Sequence, residues 1–291
     1  AICRDGYCLV CCLAMEPSNA RLALNKQTSS SWQSAVTRHF QRAATTYADV
    51  SELQQASMHD LLTECRAQGL VLELGAGQGQ LASVIAACPE VSTLIALDIC
   101  EAMLRTAPQQ AKLSRVVASA LAIPLMDHSV DAIISHFALH WCLAPTAVAA
   151  EMHRVIRRDG CVQLAIPLAG SLAPLHGEQG DDALLLPLSE WQQAFTAQTN
   201  LASTSSGSVW VCEHDAVKTY TRYFDTASDW LGYLRAMGVT AKPKSQQLQS
   251  SQPGLTGRRT LQSLIKRLEQ AAEPAGIPFT FKVWHARFRA L

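Results

Sequence analysis

Three glycines spaced two apart, Gly75, Gly77 and Gly79, lie between an apolar run at 70–74 and a helical pattern that begins at Gln80. An apolar run of this length, ended by glycine, is typical of a buried strand in a parallel sheet. A glycine turn between a strand and a helix lets backbone N–H groups approach a ligand without intervening side chains. This stretch is therefore predicted to bind a nucleotide-like ligand.

The glycine spacing and the preceding acid narrow the choice of ligand. A dinucleotide fingerprint reads G-x-G-x-x-G, whereas here the third glycine comes one residue early and Gln80 occupies the dinucleotide position. The carboxylate of Glu73 would repel a diphosphate but suits a cationic or zwitterionic ligand. The predicted ligand is S-adenosylmethionine, and its predicted contacts in this turn are Glu73, Gly75, Ala76, Gly77 and Gly79.

A second acid, Asp98, ends a short apolar run at 93–98. In doubly wound sheets an acid about 20 residues beyond the glycine turn accepts hydrogen bonds from ribose hydroxyls. Asp98 is therefore predicted to bind the ribose of the cofactor. The alternative is that Asp98 only caps a helix that starts at Glu101.

Short apolar runs alternate with helical patterns through the middle of the chain. Strands are predicted at 70–74, 93–98, 114–118, 129–135 and 161–166. A helix at 147–156 is predicted to end in a basic last turn at 157–160, and the alternation at 279–288 predicts an antiparallel edge strand. The predicted fold is α/β. It is a doubly wound, mostly parallel seven-stranded sheet of the Rossmann-like class I methyltransferase type, with an antiparallel last strand and a helical cap.

The length suits one large or two small domains, and the cysteine usage is typical of a reducing compartment. From the glycine turn and Asp98 we expect a single methyltransferase domain. Apolar residues make up 48% of the chain, yet no apolar run approaches the ~18 residues of a membrane span. The ten cysteines show no disulfide-like spacing, and the lone C-x-x-C at 8–11 has no second pair to complete a zinc site. We expect a cytoplasmic monomer with residues 1–30 disordered. The domain at 31–291 is expected to carry cap helices at 31–68 and inserted cap segments at about 168–208 and 226–275.

The net charge is zero but unevenly distributed. From Asp215 onward the chain has twelve Lys and Arg against five Asp and Glu, and the part before Asp215 carries the opposite excess. This asymmetry suggests an acidic partner for the C-terminal part, and a solvated basic surface is the alternative. No nucleic-acid or membrane partner is predicted.

Four further motifs are FQRAATTY at 40–47, SHFALHW at 135–141, GSLAPLH at 170–176 and LGYLRAMGV at 231–239. With the glycine turn, they make the chain resemble the malonyl-acyl-carrier-protein O-methyltransferases of biotin synthesis from Lys26 onward. The resemblance implies methyl transfer from S-adenosylmethionine to the free carboxyl of a malonyl thioester, held by acyl carrier protein or by CoA. A quinone-ring or other small-molecule methyltransferase, or a non-catalytic cofactor-binding protein, is the alternative.

The resemblance also implies further cofactor contacts at Ile99, Ser119, Ala120, Leu121 and His136. The family usually has an acid where this chain has Ser119, and that acid accepts a hydrogen bond from the adenine amine. A serine hydroxyl can also accept that bond, but it brings no charge.

Methylation of a carboxylate needs no general base, because the acceptor is already ionised at neutral pH. Tyr47 is the candidate for orienting the reacting carboxyl, and a core aromatic is the alternative. Phe40 and Trp141 are predicted to wall the substrate pocket, with core packing as the alternative for Trp141.

Three arginines, Arg222, Arg258 and Arg259, are predicted to contact the malonyl thioester or its carrier, and a plain surface charge is the alternative for each. His136 and His140 are spaced i, i+4 like a pair of metal ligands. No third ligand accompanies them, so no metal site is predicted.

Overall fold

The structure is a computed structural model of the 291-residue chain. It describes residues 33–34, 36–38, 40–41, 52–175, 185–202, 210–236 and 258–291. The predicted disordered segment at 1–30, the candidate Tyr47 and most of the motif at 40–47 lie outside the described residues.

Seven strands form one sheet in the described part of the chain. They are β1 (Gly69–Leu74), β2 (Val91–Asp98), β3 (Leu113–Val117), β4 (Val130–His136), β5 (Ile156–Pro167), β6 (Trp210–Phe224) and β7 (Ile277–Ala290). Their order is β3-β2-β1-β4-β5-β7-β6. The pairs from β3 through β5 are parallel, and β7 is antiparallel to both of its neighbours. The predicted α/β class, strand number and antiparallel last strand are confirmed.

Helices cover both faces of this sheet. They are α1 (Glu52–Thr63), α2 (Gln80–Ala86), α3 (Glu101–Thr106), α4 (Pro145–Val155), α5 (Leu188–Ala202), α6 (Ala227–Ala236) and α7 (Arg258–Gln270). The helical residues described between 33 and 41 are called the N-terminal helix. None of the described helices is long and apolar enough to cross a membrane.

Two hydrophobic clusters, one on each face, hold the helices to the sheet. One cluster joins α1, α2, α6 and α7 to the sheet through residues such as Trp230 and Phe279. The other joins α4 and α5 through Trp191, Phe195 and Trp284. Trp191, Trp230 and Trp284 are each at most 1% exposed, so their burial contributes on the order of 2–3 kcal/mol apiece. The helices α5, α6 and α7, which fall in the predicted cap insertions, therefore pack on the faces of the sheet.

The prediction that the last strand forms an edge is wrong. β7 pairs with β5 on one side and with β6 on the other, so β6 is the edge strand. The alternation at 279–288 suggested an edge, but Arg287 within it is only 8% exposed and pairs with Glu64 and Glu213. Buried charges can lie in an interior strand when acids from elsewhere in the chain neutralise them.

The predicted basic last turn at 157–160 is also wrong. α4 ends at Val155, and residues 157–160 belong to β5, which starts at Ile156. Arg157 donates to Asp131 on the neighbouring strand β4. The basic residues of the last helical turn are His153 and Arg154 instead.

Candidate active site

A cleft of about 1240 Å³, partly open to solvent, lies at the carboxyl ends of the parallel strands. It is centred where β1 has β2 on one side and β4 on the other. Ligands of open α/β sheets bind at such a switch point, because the connections leave β1 and β4 towards opposite faces. The predicted site residues that line the cleft are Phe40, Glu73, Gly75, Ala76, Gly77, Asp98, Ile99, Ser119, Ala120, Leu121, His136 and Trp141.

The glycines of the turn have different roles. A Cβ on Gly75 would lie 2.1 Å from Cβ of Ala138, so the absence of a side chain lets the loop after β4 pack on the turn. A Cβ on Gly77 would meet nothing nearer than Cε of Met103 at 3.9 Å. Since Gly77 lines the cleft, a larger side chain there would occupy ligand space.

The third glycine, Gly79, is not among the residues that line the cleft. It is buried at the start of α2, and a Cβ there would lie 2.7 Å from Cβ of Ala107. The prediction that Gly79 contacts the cofactor therefore has no support from its position. Its φ of 75° and this close approach give glycine a packing role at this position.

Glu73, at the end of β1, is a buried acid with an unsatisfied oxygen. The residue is 3% exposed, and no described residue bonds to its Oε2. Burial, and secondarily the nearby Asp98, raises the pKa of Glu73 from 4.5 to about 8. A cation in the cleft would stabilise the ionised form of this carboxyl.

Asp98 holds the glycine turn and also faces the cleft. Its Oδ2 accepts from the backbone N–H of Gly77 at 2.8 Å, and its Oδ1 accepts from Cys100 N–H at 2.8 Å. Burial raises the pKa of Asp98 despite these bonds. The capping alternative gains no support, because Asp98 bonds to Cys100, which is itself the N-cap residue of α3, and that cap has no side-chain hydrogen bond. Each carboxylate oxygen still has a lone pair for a ligand hydroxyl.

The Ser119 hydroxyl, predicted to accept a bond from the ligand, already accepts two bonds from the protein. Its Oγ already accepts from Nε2 of Gln33 at 3.0 Å and from Leu121 N–H at 3.2 Å. A hydroxyl has two lone pairs and one proton, so what remains is a donor. Gln33 was not among the predicted site residues. It lies 86 residues before Ser119 and also lines the cleft.

The loop after β4 supplies the opposite wall. Nε2 of His136 and Nδ1 of His140 are buried with no partner among the described residues, and burial lowers the pKa of each imidazole to about 3. Between them Phe137 has a φ of 49°, an uncommon conformation for a bulky residue. Strain of this kind concentrates at functional sites. Among the described residues no group of His, Cys, Asp and Glu could hold a metal ion.

Two aromatic residues close this end of the cleft. Phe40 of the N-terminal helix meets Trp141 edge to face, with ring centroids 5.4 Å apart. Both line the cleft, and Phe40 also packs against Cys100 and Met103. The pair connects the N-terminal helix to the loop after β4 across the cleft.

Of the three predicted substrate arginines, Arg222 is not among the residues that line the cleft. Arg222 lies on β6, pairs with Glu52 at 3.0 Å and stacks over the rings of Phe224 and Tyr233. Arg258 and Arg259 begin α7, and their side chains lie outside the described part of the chain.

Comparisons with known proteins agree with this architecture. Residues 72–164 match a family described as a methyltransferase domain. The chain is 30% identical over 281 residues to a malonyl-[acyl-carrier protein] O-methyltransferase of Alcanivorax borkumensis, covering 91% of this chain and 89% of that protein. The chain belongs to this O-methyltransferase family. Its cofactor is S-adenosylmethionine.

Two further comparisons concern pathway and fold. A biotin biosynthesis bifunctional protein BioHC of Cellvibrio japonicus is 28% identical over 86% of this chain, which spans 49% of that protein. The solved structure of YcgJ from Bacillus subtilis superposes with a TM-score of 0.53 at 20% identity, covering 81% of this chain and 97% of that one. At this identity the likeness concerns the fold alone.

The described cleft fits the cofactor of the O-methyltransferase family. S-Adenosylmethionine carries a sulfonium and an ammonium group, and the unpartnered Oε2 of Glu73 is a buried acceptor for positive charge. Asp98 offers lone pairs for ribose hydroxyls, and Gly77 leaves open space beside the turn.

Proposed function

We propose that this protein methylates the free carboxyl of malonyl-acyl carrier protein to give the methyl ester, an early step of biotin synthesis. S-Adenosylmethionine supplies an electrophilic methyl group on its sulfonium. The relatives named for this reaction support the choice of acceptor. The protein's own task is then to align the acceptor oxygen, exclude water and hold both ligands.

The observation that carries this proposal is that, apart from the acids assigned to the cofactor, the titratable side chains described in the cleft are buried and poorly suited to act as a general base. His136 and His140 have pKa values lowered to about 3, and burial raises the pKa of Cys142 to about 12. Efficient proton transfer needs a pKa near the working pH. A carboxylate acceptor loses no proton during methylation, whereas a phenol or a quinone-ring carbon does. The cleft therefore favours the malonyl acceptor over the quinone precursor.

Glu73 has a pKa of about 8, but we assign it to the cofactor. It lies on β1 immediately before the glycine turn, and the positive charge of the cofactor would keep it ionised and occupied. In this proposal Asp98 holds the ribose, and His136 offers its buried Nε2 to the polar amino-acid part of the cofactor. Ile99, Ala120 and Leu121 provide the apolar surface for the adenine ring.

Phe40 and Trp141 are proposed to wall the space where the acceptor carboxyl meets the methyl group. An apolar wall reduces the hydration of the carboxylate, and charge neutralisation during transfer is favoured where water is excluded. Tyr47, outside the described residues, remains the proposed residue that orients the carboxyl.

Carrier binding is proposed to involve basic residues of α7. Several other basic residues of the C-terminal part are already paired with acids from earlier in the chain. Lys218 pairs with Asp60, Arg222 with Glu52, Arg287 with Glu64 and Glu213, and Arg289 with Glu213 and Asp159. α7 carries Arg258, Arg259, Lys266 and Arg267 against one acid, Glu269. Acyl carrier proteins are acidic, so such a helix would raise the encounter rate.

The test is methyl transfer from labelled S-adenosylmethionine to a panel of acceptors. Malonyl-carrier, malonyl-CoA and a quinone precursor are compared with acetyl-carrier, which has the same thioester but no free carboxyl. We expect label on a malonyl acceptor and none on acetyl-carrier. Label on the quinone precursor alone would overturn the proposal, and no label on any acceptor would favour a non-catalytic protein.

A further inference from the structure

The N-terminal helix contacts the cleft at the end that lies beyond Asp98, the acid assigned to the ribose. Gln33 donates from Nε2 to Oγ of Ser119 at 3.0 Å, and both residues line the cleft. On the same helix Thr37 O accepts a bond from Sγ of Cys100 at 3.8 Å. The helix is thus fixed against the segments that follow β2 and β3.

The hydrogen bonds of Ser119 determine which atoms of Ser119 and Gln33 remain available to a ligand. The two lone pairs of Oγ accept from Nε2 of Gln33 and from the backbone N–H of Leu121. The hydroxyl proton therefore points to a third partner. No described residue donates to Oε1 of Gln33, so its amide oxygen remains an acceptor. The two residues, which both line the cleft, can therefore offer a ligand one acceptor and one donor.

The position of this pair identifies the part of the ligand that it can meet. The cleft runs along the carboxyl ends of the strands, from β4 past β1 and β2 to β3. With Glu73 on β1 and Asp98 on β2 taken by the amino-acid part and the ribose, the base must extend towards β3. Ile99, Leu121 and Met103 line this end and offer apolar surface to a flat ring.

We propose that Gln33 and Ser119 together read the adenine base: Oε1 of Gln33 accepts from the exocyclic amine, and the Ser119 hydroxyl donates to the neighbouring ring nitrogen. Adenine presents a donor beside an acceptor, on either side of its amine, which complements this pair. Hypoxanthine has an oxygen in place of the amine and faces the Gln33 oxygen with a second acceptor. A residue on the N-terminal helix thereby becomes a determinant of cofactor specificity.

The inference rests on the cofactor orientation proposed above, and it is tested by binding rather than by turnover. Titration calorimetry would compare S-adenosylhomocysteine with its analogue lacking the exocyclic amine, in wild type and Gln33→Met. Loss of one hydrogen bond corresponds to about a tenfold weaker affinity. We expect amine deletion to weaken binding about tenfold in wild type and hardly at all in Gln33→Met.

Two further variants separate recognition from helix displacement. Gln33→Glu keeps an acceptor and should retain most of the discrimination for the amine. Arg38→Met introduces the same side chain at an exposed position of the same helix and should bind both ligands like wild type. The 1-deaza and 7-deaza analogues show which ring nitrogen the hydroxyl meets, since Ser119→Ala should abolish the penalty for only one of them.

Equal penalties for amine deletion in wild type and Gln33→Met would overturn the inference. So would loss of binding in Arg38→Met to the same extent as in Gln33→Met, because the helix alone would then explain the effect. Failure to methylate malonyl-carrier would leave these binding results unchanged and would count only against the proposed reaction.

Discussion

Replacing Glu73 with glutamine tests the electrostatics of the cleft most sharply. The carboxyl is 3% exposed, and burial raises its pKa from 4.5 to about 8. Glutamine has nearly the same size but cannot ionise. The variant therefore isolates the consequences of burying this titrating group.

In the ligand-free protein the raised pKa means that the folded state holds the proton of Glu73 more tightly than the unfolded state does. The contribution of this group to the free energy of unfolding is therefore fully present below pH 4.5. It is lost as the pH rises from 4.5 to about 8. The shift corresponds to about 5 kcal/mol over that range, as an upper figure. Glu73→Gln should lack this loss.

The assay is urea unfolding of ligand-free wild type and Glu73→Gln at intervals between pH 5 and pH 8. We expect the variant to gain stability relative to wild type as the pH rises, by several kcal/mol in total. Parallel curves for the two proteins across this range would refute the reasoning, because they would show that Glu73 titrates normally.

Cofactor binding should show the opposite dependence on pH. A bound cation favours ionised Glu73, so wild-type affinity should rise about tenfold per pH unit between about pH 5 and pH 8. Calorimetry in buffers of different ionisation enthalpy should detect nearly one proton released at pH 7. The same titration with Glu73→Gln measures the protons that come from the cofactor's own amine. Subtracting them from the wild-type value leaves the contribution of Glu73. Equal pH slopes for the two proteins would contradict the role assigned to Glu73.

Other substitutions separate folding, cofactor binding and carrier binding. Gly75→Ala and Gly77→Ala both impose a positive φ on alanine, at a cost of about 1–2 kcal/mol, but only Gly75→Ala collides with Ala138. Gly75→Ala should therefore lower the melting temperature more than Gly77→Ala does, and equal losses would contradict this. Gly77→Val should weaken cofactor binding at least tenfold in calorimetry, because its side chain enters the cleft. Arg258→Glu with Arg259→Glu should raise the apparent KM for malonyl-carrier at low salt and leave malonyl-CoA turnover unchanged. Indifference of carrier kinetics to these reversals and to ~1 M salt would rule out docking through α7.

The local motifs of the sequence predicted residues that the structure brings together in one cleft. Glu73, Gly77 and Asp98 lie within two adjacent strand–turn segments, and a parallel sheet brings the carboxyl ends of such strands together. The spacing of these residues was enough to predict that they lie close together, because their placement depends only on two adjacent strands.

Features that depend on distant partners could not be predicted in this way. The alternation at 279–288 resembled an edge strand, and the partners that neutralise Arg287 there, Glu64 and Glu213, lie far away in sequence. Ser119 was predicted to accept a bond from the ligand. The sequence near Ser119 does not reveal that Gln33, on the distant N-terminal helix, already donates a hydrogen bond to it. In both cases a contact between residues far apart in sequence changes the role that the local pattern indicates.

The central claim is methyl ester formation on the malonyl carboxyl, and mass spectrometry of the malonyl-carrier product tests it most directly. After incubation with S-adenosylmethionine, the malonyl group should be one methyl heavier. Alkali, which also cleaves the thioester, should release that methyl as methanol and leave free malonate. An unmodified malonyl-carrier would contradict the account. So would a methyl group that alkali does not remove, because such a methyl group would be bonded to carbon.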